Sequence, residues 1–228
     1  MTREVELVVC PDAEAAARAA AEHLVVAARA GAAIALSGGS TPRRSFEIAA
    51  GLEPDWVRAS AWWGDERCVP PDDARSNYRM AREALLDRLA RPPEVHRIRG
   101  ELAAEEAAAA YEEELGDLRL GLALMGLGPD GHTASLFPGA PTLDERERRV
   151  VAAAPGLEPF VERETMTLPA LRASRLVLFL VTGPDKADAA RRAFAEKPSK
   201  DTPASLLRSV DGSTVAILDR AAARDLPT

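Results

Sequence analysis

Arg175-Leu176-Val177-Leu178-Phe179-Leu180-Val181 is an apolar run behind a single arginine, and it stops at Thr182-Gly183-Pro184, where a helical pattern over residues 184–195 begins. A continuous run of this length, bounded by turn residues, reads as a strand buried on both faces, and such strands belong to parallel sheets covered by helices. The same unit recurs upstream. Residues 5–9 (Val-Glu-Leu-Val-Val) precede an Ala-rich helix over 12–30 with Asp12 as its N-cap, and residues 33–36 precede a helix to about Ala50. Residues 59–63 read as a strand, and a helix from about Ser76 carries Tyr78, Ala81, Leu85 and Leu89 on one face. Residues 95–98 are a short strand, 101–115 a helix and 120–125 a further strand. Residues 149–153 and 165–168 are strand candidates, and 213–218 close the sheet before a last short helix. Irregular loops are expected over 137–147 and 197–203. The alternation predicts an α/β fold with a mostly parallel central sheet.

The chain has 228 residues, a prior for one large domain or two tightly joined ones, and it is read as a single domain over 1–228. Lys+Arg 29 against Asp+Glu 36 leaves a net charge of −7, which disfavours nucleic acid as a partner but leaves room for a local anion pocket. A 46% hydrophobic content excludes a mostly disordered chain. No apolar run approaches the ~18–20 residues that span a bilayer, and the N-terminus lacks the apolar core of a signal peptide. Cys10 and Cys68 lie in or beside apolar runs as small core residues, without metal-ligand spacing. The expectation is a soluble cytoplasmic protein without a membrane partner.

In open parallel sheets, ligands bind beyond the carboxyl ends of the strands. Four segments follow such ends. Ser37-Gly38-Gly39-Ser40-Thr41-Pro42 lies between a strand and a helix, so backbone N–H groups, two hydroxyls and a positive dipole end converge as a phosphate requires; the alternative is an ordinary Gly-rich turn. Gly126-x-Gly128-x-x-Gly131 satisfies the dinucleotide fingerprint, but the acidic residue expected about 20 positions on, at the end of the next strand, is missing. Asp130-Gly131-His132 reads better as a catalytic turn, because a carboxylate two residues from an imidazole fixes its tautomer and stabilises its protonated form. The other histidines, His23 in a helix and His96 beside Arg97, read as structural. Gly64-Asp65-Glu66-Arg67 is either a solvated loop or a substrate contact, with Arg67 suited to a phosphate or carboxylate. Lys186 opens a helix against the dipole preference, which is explained if it meets an anion; otherwise it is an exposed helix-start lysine. Arg163 is a further cation of this kind.

Taken together, these segments resemble the 6-phosphogluconolactonase family. The resemblance rests on residues 36–42, Trp63-Gly64-Asp65-Glu66-Arg67-Cys68-Val69-Pro70, Ser76-Asn77-Tyr78, Val95-His96-Arg97-Ile98, Met125-Gly126-Leu127-Gly128-Pro129-Asp130-Gly131-His132-Thr133-Ala134-Ser135-Leu136-Phe137-Pro138, Arg163 with residues 165–169, and Thr182-Gly183-x-x-Lys186. Glu164 departs from the pattern, where an apolar residue is expected. The resemblance implies a three-layer, modified Rossmann-like fold shared with glucosamine-6-phosphate isomerase/deaminases. It implies hydrolysis of a sugar-phosphate lactone, 6-phosphoglucono-1,5-lactone, without metal or organic cofactor. It implies His132 as catalytic base with Asp130 beside it, and Ser37, Gly38, Gly39, Ser40, Thr41, Asp65, Arg67, Arg163 and Lys186 as substrate-binding candidates. A monomer or small homo-oligomer is expected. The rivals are a hexosamine-6-phosphate isomerase/deaminase, whose members carry a glutamate five residues after the site histidine where this chain has Phe137, and a non-catalytic sugar-phosphate sensor.

Overall fold

The computed structural model describes residues 4–156 and 160–227. Consecutive residues are buried in the central strands, at Ile34 to Leu36, Leu122 to Met125 and Val177 to Val181, which a strand achieves only when both faces of its sheet are covered. Seven strands form this sheet: β1 (Glu6–Cys10), β2 (Ala33–Leu36), β3 (Ser60–Trp63), β5 (Glu94–Val95), β6 (Leu122–Met125), β9 (Leu176–Val181) and β10 (Ser213–Asp219). Their order is β1-β10-β9-β6-β2-β3-β5, and every neighbouring pair is parallel. The helices are α1 (Ala13–Arg29), α2 (Ser40–Leu52), α3 (Asn77–Ala84), α4 (Ala104–Leu115), α5 (Leu168–Arg172), α6 (Ala187–Phe194) and α7 (Arg220–Ala223). They flank the sheet in groups: α1 packs on α2 and on β9 and β10, α2 on α3, and α6 on α7.

From β2 the chain moves outward through β3 to β5, then returns to place β6 on the other side of β2. The strand order therefore reverses between β2 and β6, and a crevice opens outside the carboxyl ends of such a pair. Residues 37–41 and 126–132 begin there, and residues 182–186 follow β9, the next strand over.

A second sheet was not expected. β4 (Asp65–Arg67), β8 (Arg163–Met166) and β7 (Val150–Ala153) form an antiparallel sheet in the order β4-β8-β7, and α4 packs against β7 and β8. The solvated-loop alternative for residues 64–67 is thereby corrected: Asp65 and Glu66 are buried strand residues. The strand expected at 165–168 lies two residues earlier, because Thr167 caps α5 through its side chain, which accepts from Ala170 N, and Pro169 suits a first helical turn. Only Glu94 and Val95 pair as β5, rather than 95–98. Helical turns occupy Pro141–Asp144, Pro184–Lys186 and Pro203–Leu206, so α6 starts later than the pattern suggested.

Cys10 is buried as expected, whereas Cys68 is half-buried and donates to Glu164 Oε1 at 3.0 Å, so its setting is a carboxyl group and not an apolar core. His96 stacks on Trp62 with ring centroids 4.0 Å apart and bonds Glu114, in keeping with a structural role. Among the described residues no helix is long and apolar enough to cross a membrane.

Candidate active site

Four of the site's segments begin at strand ends and converge on one cavity of about 250 Å³. Its walls include residues Ser37, Gly38, Gly39, Ser40 and Thr41 after β2, Asp65 and Arg67 on β4, His132 after β6, Arg163 on β8 and Lys186 after β9. Asp130 does not line the cavity; it reaches the site through His132.

The 37–41 turn leads into α2, whose N-terminus has neither a capping side-chain bond nor an acidic residue in its first turn. α1, by contrast, has the Asp12 carboxylate accepting from Ala15 N at 2.8 Å. The first N–H groups of α2 and its dipole thus remain available to an anion. Asn77 fixes the turn from below: its Nδ2 donates to Asp65 O at 2.8 Å, and a Cβ on Gly38 would lie 1.8 Å from its Oδ1. Only glycine fits there. Across the cavity the Thr41 and Thr182 hydroxyls are 3.2 Å apart, linking this turn to the one that carries Lys186.

In the β4–β8 ladder Arg67 faces Arg163 and Asp65 faces Thr165. Directly opposed residues share a face, so both guanidinium groups border the cavity while Glu66 and Glu164 point the other way. Burial, and then the like charge of Arg67, holds the Arg163 guanidinium below its ordinary value. Two opposed cations are unfavourable unless a negative group joins them. Arg67 Nη1 donates to Arg75 O at 2.6 Å, and its buried Nε has no hydrogen-bond partner among the described residues. Glu66 on the reverse face is buried and accepts from Arg67 N, Ser76 Oγ, Asn77 N and Tyr78 N, so it anchors the N-terminus of α3 as the dipole favours.

The turn after β6 brings His132 Nδ1 to 2.5 Å from Asp130 Oδ1. Burial works against the charge on Asp130, but the bond from His132 and the imidazole's charge outweigh it and hold the carboxyl below the usual range. An ionised carboxylate accepts, so Nδ1 carries the hydrogen and, in the neutral ring, Nε2 is the acceptor. The approach is tight: a Cβ on Gly128 would lie 1.9 Å from Nδ1. The Phe137 ring packs against the imidazole with centroids 4.9 Å apart, and Arg163 Cζ lies 5.5 Å from the same ring. Ser135 Oγ donates to Asp65 Oδ2 at 2.7 Å, which ties the residues after His132 to β4.

Every residue named from the sequence as a catalytic or substrate-binding candidate is thus at or directly behind one cavity. Asn77 and Gly128 were not foreseen as determinants of its shape. A signal existed for Asn77, as the first residue of a helix facing the charged 65–67 stretch. None existed for the packing role of Phe137.

The match of residues 11–216 to the model for glucosamine-6-phosphate isomerases/6-phosphogluconolactonase covers the strands and turns that build this cavity. The chain belongs to that family. A 6-phosphogluconolactonase of Homo sapiens is 40% identical over 210 residues, covering 86% of this chain and 81% of that protein. The structure of a 6-phosphogluconolactonase from Trypanosoma cruzi superposes with a TM-score of 0.88 at 29% identity, covering 100% and 99% of the two chains. A monomeric glucosamine-6-phosphate deaminase superposes with a TM-score of 0.84 at 20% identity, covering 97% and 100%, so the fold is common to both branches of the family.

Proposed function

We propose that this chain hydrolyses 6-phospho-D-glucono-1,5-lactone to 6-phospho-D-gluconate, the second step of the oxidative branch of the pentose phosphate pathway, with His132 as general base. The observation that carries the reading is that His132, held by Asp130 from behind, borders the same cavity as an uncapped helix N-terminus and three cationic side chains.

The phosphate sits on the 38–41 backbone, with Lys186 and Arg163 as its cationic partners. Such charge-assisted bonds are worth roughly 1.5–3 kcal/mol each. The lactone ring then reaches toward His132. Nε2 takes a proton from water as its oxygen bonds to the lactone carbonyl carbon, and Asp130 stabilises the imidazolium. The tetrahedral oxyanion takes a hydrogen bond from Arg67 or from a backbone N–H of the 126–131 turn. When the carbonyl re-forms, the bond to the ring oxygen breaks and that oxygen receives the proton from His132. Asp65, held by Ser135 and Asn77, accepts from a sugar hydroxyl. No step uses a metal or cofactor.

The isomerase/deaminase alternative requires a group that moves protons between sugar carbons. Five residues after His132 stands Phe137, packed on the imidazole and unable to do so. The sensor alternative leaves the short Asp130–His132 bond without a purpose. The test is acid release from freshly made lactone with and without protein, beside ammonia release from glucosamine 6-phosphate. Lactone hydrolysis above the spontaneous rate without ammonia supports the reading; ammonia without accelerated lactone hydrolysis refutes it.

A further inference from the structure

Arg192, on α6, is not among the residues that line the cavity, yet its guanidinium is directed at the catalytic turn from behind. Nη2 donates to Pro129 O at 3.2 Å, Nη1 to Asp130 O at 3.4 Å and to Thr202 Oγ1 at 2.6 Å, and Nε to Asp188 Oδ2 at 2.8 Å. Within the turn, Gly128 N donates to His132 O and Gly131 N to Gly128 O, both at 2.9 Å. These bonds close the turn on itself but do not fix it to the rest of the molecule. Outside support comes from the C-terminal third: Arg192 holds two successive carbonyls, and Ala204 N donates to Gly131 O at 3.0 Å.

We propose that Arg192 is a positioning residue for the reaction: it clamps the Pro129 and Asp130 carbonyls so that the Asp130 carboxylate stays aimed at His132 Nδ1. The inference rests on His132 being the general base. Arginine suits the task because its planar fork presents several donors in a fixed geometry, which one flexible ammonium cannot reproduce. Asp188 neutralises its charge on the far side, so the group acts by geometry and not as a further cation for the substrate. The Asp130–His132 bond leaves little room for displacement, and a shift of about 1 Å at a reacting group costs on the order of 10²-fold in rate.

The test uses the full chain carrying Arg192→Met or Arg192→Lys, with folding checked by thermal melting. Arg192→Met is expected to lower kcat for the lactone about 10²-fold with KM changed less than about threefold. Arg192→Lys, which keeps the charge, recovers only part of the loss and carries the comparison if the methionine variant does not fold. On a His132→Ala background, Arg192→Met is expected to lower the residual rate no further. Nitrogen-15 NMR gives a readout independent of lactonase activity: the neutral His132 imidazole is the Nδ1–H tautomer in the parent protein, and Arg192→Met introduces the Nε2–H form. An unchanged kcat with an unchanged tautomer overturns the proposal, and so does an equal loss on the His132→Ala background. Should the parent protein lack lactonase activity, the functional reading falls while the tautomer measurement still decides the role of Arg192.

Discussion

Glu164→Gln is expected to change how stability responds to pH. Glu66 and Glu164 face each other across the β4–β8 ladder, and both are buried. Glu66 has four donors, whereas Glu164 has the weak thiol donor of Cys68 at 3.0 Å and an Oε2 without a hydrogen-bond partner among the described residues. Of the two, Glu164 therefore keeps its proton. Burial is the main cause, the Cys68 bond opposes it, the charges of Glu66 and Asp65 add to it, and the carboxyl is pushed up from 4.5 to about 7. In the unfolded chain it ionises near the ordinary value, so between these limits unfolding releases a proton and stability falls as pH rises. At about 1.4 kcal/mol per pH unit, the window is worth about 3–4 kcal/mol at most. Urea titrations of both proteins at half-unit steps from pH 4 to 8 measure it. The glutamine adds a pH-independent offset from its own hydrogen bonding, so the slope is the readout. The stability difference, variant minus parent, should grow through the window and level off near pH 7. Parallel curves would show that Glu164 titrates alike in both states and would refute the reasoning.

His132→Ala should lower turnover by ~10²–10⁴-fold while calorimetric binding of 6-phosphogluconate persists, since the phosphate end of the site is untouched. Gly128→Ala places a Cβ 1.9 Å from His132 Nδ1, so the imidazole must move, and kcat should fall on the order of 10²-fold in a protein that melts near the parent temperature. Gly38→Ala drives a Cβ to 1.8 Å from Asn77 Oδ1 and displaces the phosphate turn, so product binding should weaken at least tenfold by calorimetry, corresponding to about 1.4 kcal/mol.

The apolar strands were legible because burial on both faces leaves an uninterrupted run such as Leu176–Val181. β4 was hidden for the opposite reason. Asp65-Glu66-Arg67 has no apolar pattern, and it is a strand because its backbone pairs with residues 163–165, almost a hundred residues on, while its side chains meet Ser135, the start of α3 and the carbonyl of Arg75. α5 had a visible signal, Thr167 two residues before Pro169, which competed with a strand pattern that in fact ends at Met166. The pairing of the Asp130 and His132 side chains was legible because the two residues are chain neighbours. Contacts made by distant packing, such as those of Arg192 with the Pro129 and Asp130 carbonyls, were not legible. Nothing local separates Arg192 from Arg191, which pairs with Asp188 and Glu196 at the surface.

The sheet's outermost strand on one side, β1, finds its hydrogen-bonding neighbour in β10, at the opposite end of the described chain. During synthesis, Leu7 and Val9 therefore emerge on a ribbon whose mate is still unmade, and every other strand of the sheet must be translated before β10 can pair with it. An unpaired margin is an invitation to another molecule's backbone. The acids Glu4, Glu6 and Asp12, clustered on and beside this ribbon, give neighbouring nascent chains a reason to repel one another until β10 arrives.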